Sequence, residues 1–265
     1  MQGSANQQAY DRGITIFSPD GRLYQVEYAR EAVERGTAVV GVRTDQGVVL
    51  AAEKHLRSRL VEPDSVEKLH AVDDHVGVAS AGHAADARRL VDLARRTAQG
   101  NRLRYDEPIG VETLTKDLSD HVQEFTQTGG ARPFGVALLV AGVDSVEPRS
   151  TESASGQGPR ADGRPRLFEM DPSGTPSEWQ ATAIGGDGDE IRAFIEAEYR
   201  RDLDLEGGID LALRALAEPK SEGFAPEGVG VATVDAESGS FRSLDADETR
   251  ERLEGLDLLA DEPAS

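Results

Sequence analysis

Segments with the pattern of strands or helices come in pairs along this chain. Two apolar runs, Thr37–Arg43 and Val48–Glu53, are joined by a short polar turn and predict a β-hairpin. A second strand pair, Val66–Val72 and His75–Ala81, follows directly. Two amphipathic helical segments come next, and the alternation of strand pairs with helix pairs then repeats. This order indicates two antiparallel sheets packed face to face between helix layers, and not a doubly wound parallel sheet.

The other predicted elements complete this order. A helix at Arg22–Glu34 precedes the first hairpin, and Gly36 follows it as a stop signal. Apolar residues at intervals of three and four predict the later helices. In chain order, the remaining predicted segments are helices at 84–100 and 110–128, strands at 134–144, 167–171 and 179–185, helices at Asp189–Arg201 and Glu206–Ala217, strands at Val229–Asp235 and Phe241–Leu244, and a helix at Asp247–Leu256.

One long segment interrupts the paired elements. Residues 145–166 are rich in serine, glycine and proline and predict an exposed, flexible polar insert between two strands. Residues 1–12 and 257–265 lie outside the paired elements and are expected to form a mobile amino-terminal tail and a loose acidic carboxy-terminal tail. The segment between them, residues 13–256, is expected to form a single domain.

The composition excludes several classes of function. Acidic residues outnumber basic ones 49 to 29, and the formal charge of −20 disfavours nucleic acids and anionic membranes as partners. Only four lysines accompany 25 arginines, which indicates adaptation to a salt-rich cytoplasm; an ordinary acidic protein is the alternative. The absence of cysteine excludes disulfides, a thiolate nucleophile and cysteine-ligated zinc. No apolar run approaches the length of a membrane span, and the first ten residues lack signal-peptide features, so a cytoplasmic location is predicted.

A Gly-Thr pair, Gly36-Thr37, stands immediately before the first hairpin. Hydrolases with an amino-terminal threonine nucleophile begin in this way after they remove a propeptide, and the free α-amino group then serves as the general base. Here 36 residues precede Thr37, so its nitrogen is an amide unless the chain is cut after Gly36. The residues alone leave two hypotheses: a latent nucleophile, or a β-branched residue at the start of a strand.

The segment YDRGITIFSPDGRLYQVEYAREAVERG, residues 10–36, closely resembles the amino-terminal signature of proteasome alpha subunits. The resemblance continues through GVVLAAEKH, EKLHAVDDHVGVASAGHAADARRLVD, TGGARPFGVALLVAGVD and FEMDPSGTPSEWQATAIG, and covers roughly residues 8–255 apart from the insert. It implies an α+β fold, the four-layer αββα sandwich of the amino-terminal-nucleophile hydrolases. It also implies a non-catalytic subunit of an archaeal 20S core particle, whose seven-membered alpha rings stack on rings of beta subunits.

The resemblance also matches three residues to the catalytic site of the related beta subunits. Thr37 matches their nucleophile, Glu53 the supporting carboxylate, and Lys68 the lysine that lowers the pKa of the nucleophile. The segment before Thr37 carries the alpha-type signature and an amphipathic helix, so these positions are expected to be vestigial; for Glu53, a polar residue at a strand end is the alternative. The alternatives for the whole chain are a self-processing threonine endopeptidase that uses Thr37, and a ring-forming scaffold without beta partners.

Further roles follow from the resemblance. Lys68 and Gly82 match residues that receive the C-termini of AAA-type activating ATPases, which promote the entry of unfolded proteins; a surface strand lysine is the alternative for Lys68. The residues that match the family's gate are Tyr10, Asp11, Arg12, Pro19 and Tyr28. The residues that match the loop at the narrow ring entrance are Thr128, Gly129, Gly130 and Ala131.

Two positions depart from the family pattern, and one side-chain cluster needs a separate interpretation. Thr128 stands where many relatives have tyrosine, and His83 stands where relatives often have an apolar residue. His70, His75 and His83 lie near acidic residues, but the alternating strand directions argue against a shared metal site. We therefore expect neither a metal nor a cofactor.

Overall fold

The structure is a computed structural model, and it describes residues 17–19, 21–58, 60–128, 131–144, 163–220 and 222–260. Its helices are α1 (Tyr24–Glu34), α2 (Ala84–Tyr105), α3 (Val111–Gln127), α4 (Gly188–Glu198), α5 (Leu205–Ala217) and α6 (Ala246–Gly255), with short 3-10 turns at Pro63–Ser65 and Pro226–Gly228. Its strands are β1 (Val39–Thr44), β2 (Gly47–Glu53), β3 (Leu69–Asp73), β4 (Val76–Gly82), β5 (Val136–Asp144), β6 (Arg164–Met170), β7 (Pro176–Glu178), β8 (Ala181–Ile184), β9 (Val229–Asp235) and β10 (Ser240–Ser243).

The strands form two five-stranded antiparallel sheets. The first has the order β10-β9-β2-β1-β8, and the second has the order β3-β4-β5-β6-β7. Each predicted hairpin is present, and the two hairpins belong to different sheets. Strands β2 and β9 pair along the whole of β2, so residues far apart in sequence form the centre of the first sheet.

Three apolar layers hold the sheets and helices together and confirm the αββα order. One lies between the second sheet and helices α2 and α3, and another lies between the first sheet and helices α4 and α5. The third lies between the two sheets. Strand β2 shows how alternation produces this arrangement, because Val48 and Leu50 face the other sheet while Val49 and Ala51 face the helices.

A glycine in β1 permits the close contact of the sheets. A Cβ atom at Gly41 would lie 2.8 Å from Leu167 Cδ1 and 3.1 Å from Leu139 Cδ1, both from the opposite sheet. These leucines are fully buried. The space beside Gly41 is therefore filled by side chains of the other sheet, as expected for a densely packed interior.

Several predicted boundaries differ from the structure. Helix α2 does not end at Gly100 but continues to Tyr105 and ends at Asp106, which has a left-handed backbone (φ 59°). A Cβ at Gly100 would meet no atom within 4 Å, so this glycine lies on an open face and does not disturb packing. The short edge strand β7 was not predicted, because Pro176–Glu178 has no apolar alternation and is exposed.

The insert and the carboxy-terminal tail also need correction where they are described. Strand β6 begins at Arg164, so the last residues of the predicted insert are strand, while 145–162 lie outside the described residues. Phe224 N donates to Leu258 O (2.8 Å) and Ala260 N donates to Phe224 O (3.0 Å). The first part of the predicted loose tail is therefore ordered against the core, and 261–265 lie outside the described residues.

Candidate functional site

The segment before Thr37 is an integral part of the fold. Helix α1 lies against β4 and β5, and its residues Val26, Ala29 and Val33 are buried. The backbone at Gly36 is held on two sides, because Gly36 N donates to Val33 O (2.9 Å) and Gly36 O accepts from Gly186 N (2.7 Å). Thr37 follows as an internal residue, and its nitrogen is that of a peptide bond.

Thr37, Glu53 and Lys68 lie together, as the resemblance implies. Thr37 Oγ1 donates a hydrogen bond to the backbone oxygen of Glu53 (2.7 Å). Lys68 Nζ donates to Thr37 O (2.7 Å) and to Thr37 Oγ1 (2.5 Å). The hydroxyl proton of Thr37 thus points at a carbonyl oxygen, which is not a general base.

Lys68 has an unusual ionisation. Burial lowers the pKa of the Lys68 ammonium to about 7, and the negative charge of Glu53 partly opposes this shift. Near neutral pH the side chain therefore exists in both its charged and its neutral form. Lys68 and Lys54 also line a cavity of about 370 Å³.

A fourth residue, Lys220, completes this cluster. Its Nζ donates to Glu53 Oε1 at 2.8 Å, across 167 residues of sequence. The ion pair holds the Glu53 carboxylate at the end of β2. Lys220 was not predicted as a site residue; its only sequence signal is that lysine is scarce in this chain.

Gly82 also lies against the Gly36-Thr37 segment. A Cβ atom at Gly36 would lie 2.6 Å from Gly82 N, so the two backbones are in direct contact. Gly82 has φ +113°, a conformation that favours glycine. It lines a hollow of about 380 Å³ together with Tyr28, Ala32 and His83. Lys68 and Gly82 are thus close to the same segment, but they line separate cavities.

The gate residues are described only in part. Tyr10, Asp11 and Arg12 lie outside the described residues. Pro19 is exposed and lies in a turn that Gly21 N closes by donating to Ser18 O (2.8 Å). Tyr28 is 46% exposed on α1.

A contact of α1 with the second sheet was not predicted. Arg30 NH2 donates to Asp171 Oδ2 at 2.8 Å, just after β6. This ion pair ties the exposed side of α1 to the body of the protein. A spacing of 141 residues gives it no local sequence signal.

The candidate entrance loop begins where α3 ends. Thr128 donates its hydroxyl to Glu124 O (2.8 Å), and Ala131 N donates to Thr128 O (3.2 Å). Gly129 and Gly130 lie outside the described residues. After the loop, Arg132 forms a bidentate ion pair with Asp86 of α2, a contact that was not predicted from the sequence.

Comparison with known proteins agrees with this arrangement. A family model described as proteasome subunit matches residues 33–151 and 157–234, and a model of the N-terminal signature of A-type proteasome subunits matches residues 10–32. The chain belongs to the proteasome alpha-subunit family. The family match is interrupted at 152–156, inside the predicted insert.

Close relatives of this alpha subunit are found among halophilic archaea. It is 62% identical to "Proteasome subunit alpha 2" of Haloarcula marismortui, over 99% of this chain and 100% of the relative. It is 61% identical to "Proteasome subunit alpha 1" of Haloferax volcanii (99% and 97%) and 58% identical to "Proteasome subunit alpha" of Halobacterium salinarum (98% and 96%). These sources agree with the salt adaptation indicated by the acidic, lysine-poor composition.

The described part of this alpha subunit contains neither a metal cluster nor a membrane span. No group of three or more His, Cys, Asp or Glu side chains in the described ranges is placed to hold a metal ion. His75 Nε2 is instead hydrogen-bonded to Ile109 O (2.8 Å). Among the described helices, none has the length and apolar character needed to cross a membrane.

Proposed function

We propose that this alpha subunit is a non-catalytic subunit of the 20S proteasome core particle. Seven copies form an outer ring that stacks on a ring of beta subunits. The ring restricts the entry of unfolded proteins into the beta chamber, where another chain hydrolyses them. Residues 1–12 obstruct the pore, and the C-termini of AAA-type ATPases dock at Lys68 and open it by shifting the turn at Pro19.

One observation carries the non-catalytic part of this proposal. Thr37 is an internal residue whose preceding helix is packed into the fold by Val26, Ala29 and Val33. A threonine nucleophile of this class uses its own α-amino group as the base, and a peptide nitrogen has no basic lone pair. Removal of the segment before Thr37 would expose the surfaces of β4 and β5 that α1 covers.

The docking role is supported by the chemistry of Lys68. An incoming terminal carboxylate offers the ammonium a charged acceptor, which forms a stronger hydrogen bond than the uncharged oxygens of Thr37. Lys68 also lines a cavity of about 370 Å³, which is large enough to receive such a group. A lysine that is already desolvated loses little further hydration when the carboxylate binds.

The intact mass of the chain tests the proposal that this subunit is non-catalytic. The protein is purified in high salt from its assembled particle and measured after denaturation. We expect a mass near 28.4 kDa, which corresponds to the uncut chain. A species that begins at Thr37 would instead identify a self-processing threonine endopeptidase, and peptidase activity of the isolated chain would support the same conclusion. A full-length chain that forms rings but binds no beta subunit would identify a scaffold.

A lysine substitution tests the docking role. Lys68→Ala is compared with Lys116→Ala, which changes an exposed lysine on α3. Peptide entry is measured with and without the ATPase, and the stimulation is expressed relative to each variant's own basal rate. We expect Lys68→Ala to abolish stimulation and Lys116→Ala to retain it. Full stimulation in the Lys68 variant would exclude this docking site.

A further inference from the structure

A cavity of about 620 Å³ lies beside β3, the outermost strand of the second sheet. It is lined by His70 of β3, by one side of helix α2 and by residues that lie between β2 and β3 in the sequence. Four lining residues of α2 are spaced by three or four positions and follow one side of the helix over roughly 16 Å. They are Ala84, Arg88, Val91 and Arg95. The volume is within the range that is typical of small-molecule sites.

His70 lines this cavity from the side of β3. Strand alternation places it on the same face as Val72, which packs against α2, whereas Leu69 faces the other sheet. The side chain of His70 is 9% exposed, and its Nε2 atom is buried without a hydrogen-bond partner among the described residues. Its Nδ1 atom lies 3.9 Å from Glu67 Oε2, which is too far for a hydrogen bond. Buried polar atoms are nearly always paired, so this imidazole indicates a ligand in the cavity.

Two arginines of α2 line the same cavity and have guanidinium nitrogens to spare. Arg88 is exposed and forms neither an ion pair nor a hydrogen bond with any described residue. Arg95 is fixed at the cavity, because its Nε donates to Ala71 O at 2.9 Å. Its terminal nitrogens make no hydrogen bond within the described part of the chain, and NH1 lies 3.9 Å from Asp92 Oδ1. A guanidinium offers paired donors that match the oxygens of a carboxylate or a phosphate.

The start of α2 adds two backbone donors to the lining. The residue that caps this helix, His83, makes no side-chain hydrogen bond to the first turn. The amides of Ala84 and Ala85 therefore have no acceptor within the described ranges. Both residues are exposed and line the cavity. Unpaired amides and the positive end of the helix dipole favour an anion at this end of the cavity.

The charge of the lining differs from that of the whole chain, which is −20. Three arginines and two histidines line the cavity together with two acidic residues: Arg57, Arg88, Arg95, His55, His70, Glu67 and Asp92. Burial lowers the pKa of His70, so its ring is neutral near pH 7 and can donate one N–H. The Debye length is about 3 Å in 1 M salt, so a charge excess alone would attract little in such a solvent. Selective binding there requires direct hydrogen bonds from fixed donors.

We propose that the cavity between β3 and α2 binds a small oxyanion with several negative charges, such as a diphosphate or a tricarboxylate. The guanidinium groups of Arg88 and Arg95 pair with its charged oxygens. The amides at the start of α2 bind oxygens at their end of the cavity, and His70 donates to an oxygen on the buried side. The donors that carry this inference all belong to β3 and α2. The site does not depend on the gating function, because Lys68 lines a different cavity.

Titration calorimetry of the full chain tests the site. Inorganic pyrophosphate and citrate are the probes, and the buffer contains about 1 M potassium chloride so that unspecific charge attraction is screened. Arg88→Gln removes one guanidinium of the site, and Arg96→Gln is a matched control at an exposed position of α2 outside the lining. We expect saturable binding of at least one probe to the wild type. Arg88→Gln should weaken this binding about tenfold, as expected for the loss of a hydrogen bond between charged groups, and Arg96→Gln should leave it unchanged.

The two probes distinguish the chemical source of the oxygens. Binding of pyrophosphate alone would identify a phosphate compound, binding of citrate alone would identify a polycarboxylate, and binding of both would identify a site that recognises charged oxygens of either kind. Binding of neither probe at concentrations up to about 10 mM would overturn the proposal. Binding that is equally strong in Arg88→Gln would also overturn it, because the ligand would then occupy another site.

Chemical modification of the wild-type chain locates the site without a substitution. Phenylglyoxal modifies exposed arginines, and mass spectrometry of the digested chain gives the extent of modification at each position. We expect the probe that binds to slow the modification of Arg88 at least threefold, while Arg96, on the same helix, reacts at its original rate. Equal rates at Arg88 with and without the probe would contradict the proposed contact even if the calorimetry detects binding.

Discussion

The ionisation of Lys68 should make the stability of this alpha subunit depend on pH. The pKa of Lys68 is about 7 in the folded chain, because the site is buried. An unfolded chain has the ordinary lysine pKa of about 10.4. Between these values the unfolded state binds a proton that the folded state does not bind, so protonation favours unfolding. Stability should therefore rise as the pH increases from 7 towards 10.

The size of this effect follows from the difference between the pKa values of Lys68 in the folded and the unfolded chain. Each unit of pH between the two pKa values changes the free energy of unfolding by about 1.4 kcal/mol. From pH 7 to pH 9.5 the gain in the free energy of unfolding should be roughly 3 kcal/mol. This is a substantial part of the ~5–15 kcal/mol that stabilises a typical domain.

The assay compares two substitutions at lysines. Lys68→Met removes the titrating group from the buried site, and Lys116→Met removes an exposed lysine of α3 as a control. Guanidinium-induced unfolding of each chain is measured at several pH values from 7 to 9.5, in a high-salt buffer that screens surface charges. For each chain we compare only how the free energy of unfolding changes with pH. The hydrogen bonds that Met cannot make lower this free energy by the same amount at every pH and leave its slope unchanged.

The expected result is a rising slope for the wild type and for Lys116→Met, and a nearly flat line for Lys68→Met. Parallel lines for all three chains would refute the reasoning. They would mean that the Lys68 ammonium stays charged in the folded chain, held by the oxygens of Thr37 and by Glu53.

Two further predictions concern the strands of the site and the contact between the sheets. Thr37→Val should lower the free energy of unfolding in denaturant by about 1–2 kcal/mol, because the hydroxyl makes two hydrogen bonds. It should not change the peptidase activity of the assembled particle. A thousandfold loss of this activity would identify Thr37 as the nucleophile. Gly41→Ala should lower the free energy of unfolding by about 1–3 kcal/mol and should lower the melting temperature, because the new methyl group would overlap Leu167. An unchanged melting temperature would contradict the packing described for the two sheets.

The sequence predicted the strands better than the ends of the helices. Strand β9 was predicted with its observed bounds, Val229–Asp235, because an apolar run between turn residues has a strong period and clear ends. The end of α2 was missed because Gly100 resembles a stop signal. A glycine within a helix costs only about 1 kcal/mol, and the burial of Ala94 and Ala98 on the other face of α2 supports the helix through that point.

Charged clusters could not be predicted, because their members are distant in sequence. Arg166 was assigned to the polar insert, yet it is 7% exposed and binds Glu112, Asp144 and Glu178. These carboxylates lie on α3, β5 and β7. No local pattern brings such elements together, so the burial of Arg166 follows only from the sheet order.

The choice of lysine at position 68 has a physical reason that composition does not supply. Arginine is about six times as frequent as lysine in this chain, so a cation without special requirements would be expected to be arginine. An arginine keeps its charge at every relevant pH and carries a wide planar fork. Burial of the site beside Thr37 lowers the pKa of the Lys68 ammonium to about 7. A permanent charge at this site would therefore be destabilised by its lost hydration. A lysine can release its proton when the site is empty and regain it when a carboxylate arrives. Under the docking role proposed for Lys68, binding of a terminal carboxylate would therefore be coupled to the uptake of a proton by this lysine.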